Sequence, residues 1–207
     1  MKHYIEITLL PNPEISFFDL WSKVFQQIHL GLVEMKNDSS QVPIGISFPE
    51  YTIGKKYSIL GSKLRLFAQD ESTLVKYDAA KWLARLNDYV HLTGIRSIPE
   101  KLTGYAIYQR EQHKTGQERL ARRYAKREEK WKAEGDEARL TKRQTGRANN
   151  YDDMERKIIT TPFINLKSLS SDNTLCLWIK KTPTTTSPSD AVYSTYGLSS
   201  KFSLPEF

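Results

Sequence analysis

The chain has 207 residues, of which 39% are hydrophobic and 27% charged, as in an ordinary globular protein of one or two domains. It has no apolar run long enough for a transmembrane helix and starts without the apolar core of a signal peptide. A single cysteine, Cys176, excludes an internal disulfide and a cysteine-based zinc cluster, so we expect a protein of the reducing cytoplasm with no membrane partner.

The net charge of +7 is concentrated in one quarter of the chain. Residues 101–150 contain 14 Lys/Arg and 7 Asp/Glu, whereas the other residues contain 17 of each. A localised basic field is typical of a surface that binds phosphates.

The first two elements are a strand and a helix. The run HYIEITLL (His3–Leu10) predicts a strand that ends at the turn signal PNPE. An amphipathic helix follows, with Ser16 as its N-cap and Asp19 three residues later. The apolar stripe centres near Ile28, and His29 falls at the edge of the buried face. The stripe consists of Phe17, Trp21, Val24, Phe25, Ile28 and Leu32.

The next segments complete a βαββαβ order. PIGISFPEY and SKLRLFAQD predict two strands, ESTLVKYDAAKWLARLNDYV predicts a second amphipathic helix, and TGYAIYQREQ predicts a further extended segment. This is the order of the split βαβ, or ferredoxin-like, unit, and it spans about the first half of the chain.

The second half begins with a charged, helix-prone region at 116–148, which the polar QTGRANN ends. PFINLKSLS and TLCLWIKK predict a β-hairpin joined by SSDN, and the tail AVYSTYGLSSKFSLPEF is expected to pack back on the body. The predicted fold class is therefore α+β. An N-terminal ferredoxin-like (βαββαβ) domain at 1–98 precedes a C-terminal domain at 99–207, which has a basic, arginine-rich helix at about 116–130 and a β-hairpin.

The start of the charged helix, GQERLARRYAKR, carries basic residues at three- and four-residue steps, which keeps them on one flank. A solvated face with ion pairs is the commoner meaning of a charged helix. No acid lies between Arg119 and Arg127, so this stretch favours phosphate contact, whereas acids interleave from Lys130 onward. The basic residues concerned are Arg119, Arg122, Arg123, Lys126 and Arg127.

Two polar residues precede that helix. Arg110 and Gln112 face the same side of an extended segment. Arg can bond guanine O6 and N7 together, and Gln can bond adenine N6 and N7. Two polar residues on a strand are, however, more often only a solvent face.

The remaining polar residues are weak signals by themselves. The four histidines have no metal-ligand spacing, so no metal site is predicted, and a lone helical histidine such as His29 is more often structural. Ser168 and Ser170 share one face of a strand, for which an ordinary exposed edge is the favoured interpretation. The absence of GxSxG, Walker A and GxGxxG motifs leaves serine hydrolases, P-loop NTPases and dinucleotide enzymes without support.

Taken together, the chain resembles the CRISPR repeat-processing endoribonucleases of the type I-F system nearly end to end. The matching stretches, in the family's order, are HYIEITLLPNPE, VFQQIHLGL, IGISFPEY, QERLARRYAKR, PFINLKSLSS and YGLSSKFSLPEF. The combination of IGISFP, the helical histidine and the terminal YGLS makes the resemblance specific.

The resemblance implies a ferredoxin-like N-terminal domain and a C-terminal RNA-binding domain. It implies an enzyme that cuts the repeat stem-loops of precursor CRISPR RNA without a metal or other cofactor, and that stays bound to its product among the subunits of the effector (Cascade) complex. His29 matches the catalytic histidine of the family. Ser168 matches its active-site serine, with Ser170 two residues on, and Tyr196 matches the tyrosine that places the histidine.

The resemblance also implies how RNA is held. Arg110 and Gln112 match the link that reads bases in the hairpin's major groove, and the five basic residues named above match the helix that lies along that groove. An A-form major groove is usually too deep and narrow for side chains, but it is open at the end of a short stem.

The implied chemistry fits these residue types. RNA cleavage without a metal can use the substrate's own 2′-OH as nucleophile, and a histidine titrates in the range needed to take its proton. A serine hydroxyl can hold the 2′-OH in line, and the products are a 2′,3′-cyclic phosphate and a 5′-OH. A 2′-deoxy sugar at the cut site should block the reaction.

Three other functions stay open at this point. The chain could be a non-catalytic RNA-hairpin-binding subunit, a DNA-binding or ribosomal-type ferredoxin-like protein, or a module whose basic helix docks on an acidic protein. Cleavage in EDTA indicates the enzyme, a hairpin bound but uncut indicates the first alternative, and equal affinity for duplex DNA indicates the second.

Overall fold

The computed structural model describes residues 1–54, 57–113, 117–145, 159–168, 173–185 and 191–207, with the backbone alone for 117–124 and 142–145. The elements form an α+β fold, as predicted. The chain divides into two compact units, one made of Met1–Glu111 with Thr160–Phe207 and the other of Gln112–Ile159. In the described part of the chain, no helix is both long and apolar enough to cross a bilayer.

The described elements, in chain order, are β1 (His3–Leu9), α1 (Phe17–Glu34), β2 (Gln41–Val42), β3 (Gly45–Ser47), β4 (Lys63–Ala68), α2 (Glu71–Tyr77), α3 (Ala79–Leu83), a 3-10 turn (Ala84–Leu86), β5 (Val90–Leu92), β6 (Arg96–Ser97), β7 (Gly104–Glu111), α4 (Gln117–Ala133), α5 (Glu137–Thr145), β8 (Phe163–Lys167), β9 (Thr174–Thr184), β10 (Tyr193–Ser194) and β11 (Leu204–Glu206).

The first unit contains two larger antiparallel sheets. The N-terminal sheet has the order β3-β4-β1-β5, and β6 also pairs with β1. The C-terminal sheet has the order β11-β7-β9-β8. The short strands β10 and β2 pair with each other, which ties the tail of the chain to the segment after α1.

Helix α1 begins where the sequence predicts. The Ser16 hydroxyl accepts a hydrogen bond from the Asp19 N–H at 3.1 Å, which satisfies one of the donors at the helix start. The buried face is centred on Ile28, as predicted, and burying each large apolar side chain stabilises the fold by roughly 1.5–3 kcal/mol. Phe17 was wrongly placed in that face: it is 39% exposed, and Leu20 fills the buried position of the first turns.

The predicted second helix at 71–90 is wrong in its continuity. The segment forms α2, α3 and the 3-10 turn, and Val90 starts strand β5. Asp78 breaks the helix because its backbone is left-handed (φ 49°) and its carboxylate accepts from the Lys81 N–H at 3.2 Å, capping α3. Aspartate tolerates the left-handed conformation and is a favoured N-cap residue. The apolar residues of this segment therefore keep a helical spacing although the helix itself is interrupted at Asp78.

The segment TGYAIYQREQ is extended, as predicted, but its predicted place as the fourth strand of the N-terminal unit is wrong. It forms β7, which pairs with β9 and β11 in the C-terminal sheet. The place beside β1 belongs to β5, whose three residues pair in the register Ile7↔Leu92. A three-residue strand is too short to show a period of its own.

The predicted hairpin and the packed tail are correct. Strands β8 and β9 pair antiparallel with Leu166 opposite Leu175, and β11 adds to the edge of β7. Arg65 secures the last residue: its Nη1 donates to Phe207 O at 2.8 Å, and its guanidinium lies 4.0 Å from the centre of the Phe207 ring.

The second unit contains α4 and α5. Ion pairs were predicted from Lys130 onward, and the structure has them on α4 from Glu128: Lys132 lies 3.2 Å from Glu128 and Lys130 lies 3.6 Å from Glu134. Gly135, with φ +68°, follows the helix in the left-handed conformation that commonly ends helices.

Candidate active site

His29 is held at the surface of the first unit by its helix and by a backbone carbonyl. Its neighbour Ile28 is fully buried, whereas His29 itself is half-buried. The ring nitrogen Nδ1 lies 2.8 Å from the carbonyl oxygen of Thr195. A carbonyl can only accept, so Nδ1 carries the hydrogen and Nε2 of the neutral ring is able to accept a proton.

Tyr196 fixes the plane of that ring. The rings of His29 and Tyr196 are nearly parallel, with an interplanar angle of 6° and centroids 4.3 Å apart. Both contacts to His29 therefore come from consecutive residues, Thr195 and Tyr196. A stacked ring and a hydrogen bond together leave the imidazole little freedom to rotate.

The turn that carries these two residues is anchored to the body of the unit. The Gly197 N–H donates to Ser194 O at 2.8 Å, and the Ile46 N–H donates to Gly197 O at 2.8 Å. Gly197 has φ +68°, and a Cβ there would lie 2.3 Å from Ile46 Cγ1. Only glycine meets both demands, which explains the glycine of the YGLS motif in structural terms.

Burial lowers the pKa of His29 below its ordinary value, while the hydrogen bond to Thr195 O acts in the opposite direction. The neutral form consequently predominates at neutral pH. A neutral histidine with an accessible Nε2 can act as a proton acceptor.

Ser168 is positioned by the end of β8. The preceding residue, Lys167, donates its backbone N–H to Gln26 Oε1 at 3.1 Å, and Gln26 lies one helical turn before His29 on α1. The Ser168 N–H donates to Asn173 O at 2.9 Å, which closes the β8–β9 connection. The end of the hairpin is thus tied to the helix that carries His29.

Ser170 lies outside the described residues. Two contributors, the Thr195 carbonyl and the Gln26 amide, were not predicted from the sequence. A backbone carbonyl leaves no mark in the sequence, but the i, i+3 spacing of Gln26 and His29 places both on neighbouring positions of one helix and was available as a signal.

Arg110 lies beside the Tyr196 ring. It is an exposed residue of β7, and its guanidinium carbon is 5.9 Å from the centre of the Tyr196 ring. Together with Tyr196 and Lys201 it lines a cleft of about 610 Å³. The Tyr196 ring therefore contacts both Arg110 and His29.

The other predicted RNA-binding residues belong to the second unit. Gln112 directly follows β7. Lys126 and Arg127 are exposed on α4. Arg119, Arg122 and Arg123 fall within the α4 backbone, and their side chains lie outside the described part. Within the described ranges, no three His, Cys, Asp or Glu side chains come together as a metal site requires.

Comparison with known proteins gives one consistent answer. The model of the family described as "CRISPR-associated protein (Cas_Csy4)" matches residues 4–207. A protein of Escherichia coli (strain UTI89 / UPEC), "CRISPR-associated endonuclease Cas6/Csy4", is 31% identical over all 207 residues, and both chains are covered completely. A protein of Pseudomonas aeruginosa (strain UCBPP-PA14) with the same description is 30% identical, again over the full length of both chains. These matches confirm the resemblance found in the sequence, and the chain belongs to the Cas_Csy4 family of CRISPR-associated proteins.

Proposed function

We propose that this chain is an endoribonuclease that binds and cleaves the repeat stem-loop of precursor CRISPR RNA. Full-length relatives described as CRISPR-associated endonucleases support this. One observation carries the proposal. His29 is held by Thr195 O and Tyr196 so that Nε2 can take a proton.

In the proposed reaction, His29 Nε2 takes the proton of the 2′-OH that precedes the cut. The 2′-oxygen forms a bond to the adjacent phosphorus as the bond from phosphorus to the 5′-oxygen breaks, and the 5′-oxygen takes a proton from solvent. The products are a 2′,3′-cyclic phosphate and a 5′-OH. This step requires no metal, because the nucleophile belongs to the substrate and the base is a side chain.

Ser168 and Tyr196 have supporting roles in this proposal. The Ser168 hydroxyl holds the 2′-OH in line, supported by the tie between β8 and the His29 helix. Tyr196 orients His29 through the ring stack. Ser170 stays a prediction of the family resemblance.

The proposed RNA contacts are of two kinds, to base edges and to phosphates. Arg110 and Gln112 contact base edges at the base of the stem, and the exposed position of Arg110 beside Tyr196 supports this. The basic flank of α4 contacts phosphates, supported by the exposure of Lys126 and Arg127. The phosphate-binding set is Arg119, Arg122, Arg123, Lys126 and Arg127.

We also propose the ferredoxin-like arrangement and the two predicted domains. The antiparallel order β3-β4-β1-β5 is the order that a split βαβ unit produces, with β5 as its fourth strand. All strands of that sheet lie within 1–98, and those of the C-terminal sheet lie within 99–207. We also propose that the chain stays bound to its product RNA within a type I-F effector complex and that it is located in the cytoplasm.

Single-turnover cleavage of the cognate repeat stem-loop in EDTA tests the function. We expect wild type to cut, and His29→Ala to bind equally but not to cut. If both proteins bind the stem-loop and neither cuts, the chain is a hairpin-binding subunit. Equal affinity for duplex DNA would instead contradict RNA processing.

A further inference from the structure

A cleft of about 580 Å³ lies in the first unit between the first half of α1, the 3-10 turn and the β8–β9 hairpin. It is separate from the cleft that Arg110 lines. We call it the Lys23 cleft. The residues that define it are Phe18, Lys23, Gln27, Arg85, Asn165 and Lys167.

The Lys23 cleft is positively charged. Lys23, Arg85 and Lys167 line it, and Asp19 is the one carboxylate among its described lining residues. Asp19 accepts from the Ser16 hydroxyl at 2.6 Å as part of the helix cap. In the described part of the chain, neither Lys23 nor Arg85 has a carboxylate at ion-pair distance, so both charges can meet an anion in the cleft.

An aromatic ring stands at one end of the cleft. Phe18 is 43% exposed, yet its ring packs against Phe163 in a T-shaped pair, with ring centroids 5.4 Å apart at 75°. Phe163 is in turn supported by Trp178 at 4.5 Å. A ring that is exposed but held on one side offers a surface on which a base can stack. Cations and such rings together are what grooves for single-stranded nucleic acid use.

The opposite end of the cleft adjoins the candidate active site. Gln26, one turn before His29, and Lys167, which precedes Ser168, both line it. From Gln26 the cleft follows α1 back to Phe18, about 12 Å along the helix axis. Arg110 does not line this cleft and is connected to His29 through the Tyr196 ring.

We propose that the Lys23 cleft binds the single-stranded RNA segment that follows the scissile phosphate, the strand that leaves with the 5′-OH. This inference rests on the proposed function. With the stem-loop at Arg110 and the scissile phosphate at His29, the chain beyond the cut continues along α1. Lys23 and Arg85 bind its phosphates, and Phe18 stacks on a base.

Binding of two stem-loop RNAs with the same cut site tests the inference. One ends a single nucleotide after the scissile phosphate, and the other continues in a single-stranded uridine segment. Both carry a 2′-deoxy sugar before the cut, so that they bind without reacting. Kd is measured for each RNA over a range of salt concentrations.

We expect wild type to bind the extended RNA about tenfold more tightly and with a steeper salt dependence. The double variant Lys23→Ala/Arg85→Ala should lower the salt slope for the extended RNA by about two, one for each cation. Phe18→Leu, which keeps an apolar side chain without a ring, should remove most of the advantage of the extension, whereas Phe18→Tyr, which keeps the ring, should retain it; the pair separates base stacking from apolar packing. Lys76→Ala, exposed on α2 outside the cleft, is the matched control and should change neither RNA.

The outcomes separate this inference from the proposed function. If wild type binds and, without the deoxy sugar, cuts the stem-loop, but the extension adds no affinity, the cleft inference is overturned and the function stands. It is likewise overturned if the advantage survives in the double variant, or if an equal extension on the 5′ side of the stem gives the same advantage. If no stem-loop is bound at all, both proposals fail.

Discussion

The imidazole of His29 and the phenol ring of Tyr196 lie face to face, 4.3 Å apart and only 6° from parallel. Such aromatic pairs contribute about 0.5–1.5 kcal/mol beyond the area they bury. The same turn also supplies the Thr195 carbonyl that binds Nδ1. One turn near the end of the chain therefore sets both the plane and the tautomer of the proposed catalytic base.

The stack predicts unequal effects of two substitutions at Tyr196. Tyr196→Phe keeps the ring and should change the single-turnover rate by no more than a few-fold. Tyr196→Ala frees the imidazole and should lower the rate by roughly a hundredfold, because small misplacements of a reacting group are costly. Equal rates for the two variants would show that the stack does not position His29.

The lowered pKa of His29 predicts the pH profile of cleavage. Only the neutral ring can take the 2′-OH proton, and burial extends its population to more acidic pH than the ordinary pKa of about 6.5 allows. In a single-turnover assay, the rate should rise from acidic pH with its midpoint below about pH 6.5. A midpoint at or above pH 6.5 would contradict a lowered pKa.

The same group predicts a pH effect on stability. The unfolded chain has the higher histidine pKa and binds the proton first as pH falls, so the free energy of unfolding should decrease below about pH 6.5. His29→Gln should lack this component. Denaturant unfolding of both proteins at several pH values measures it, and identical pH dependences would refute the assignment.

Gln26 is predicted to be a positioning residue. Gln26→Leu removes the acceptor for the Lys167 N–H and should loosen the end of β8 that leads to Ser168. Gln26→Glu keeps an acceptor oxygen and should restore the rate. With a stem-loop RNA of the short form that keeps the 2′-OH before the cut, we expect Gln26→Leu to lower the cleavage rate about tenfold at unchanged Kd. A loss of binding in step with rate, or no rescue by glutamate, would argue against positioning.

Gly197 is predicted to be irreplaceable for two separable reasons. Alanine there must adopt φ +68° and must also place its Cβ against Ile46. Gly135 has the same φ of +68° but open space around it, so Gly135→Ala carries only the conformational cost of about 1–2 kcal/mol. Unfolding in denaturant should show a larger loss for Gly197→Ala, and cleavage should be lost with it. Equal losses in the free energy of unfolding would mean that the Ile46 side chain can move aside at no free-energy cost.

Much of the first unit follows from local sequence signals. The cap at Ser16, the buried face around Ile28 and the β8–β9 hairpin depend on periodicity and short-range chemistry, and the structure confirms them. The predictions were wrong where a break in a helix or the pairing of a short strand determined the structure. Asp78 interrupts a continuous apolar period, and β5 has only three residues.

The sequence by itself determined the family, the basic segment and the identity of His29 as a candidate base, because these depend on residue types and their order. Only the tertiary structure decided what surrounds that histidine. Thr195 and Tyr196 are more than 160 residues away along the chain, and a backbone carbonyl has no residue-specific signal. The Lys23 cleft likewise exists only because α1, the 3-10 turn and β8 meet in space. Charges that look unrelated in the sequence become one surface when the fold brings them together.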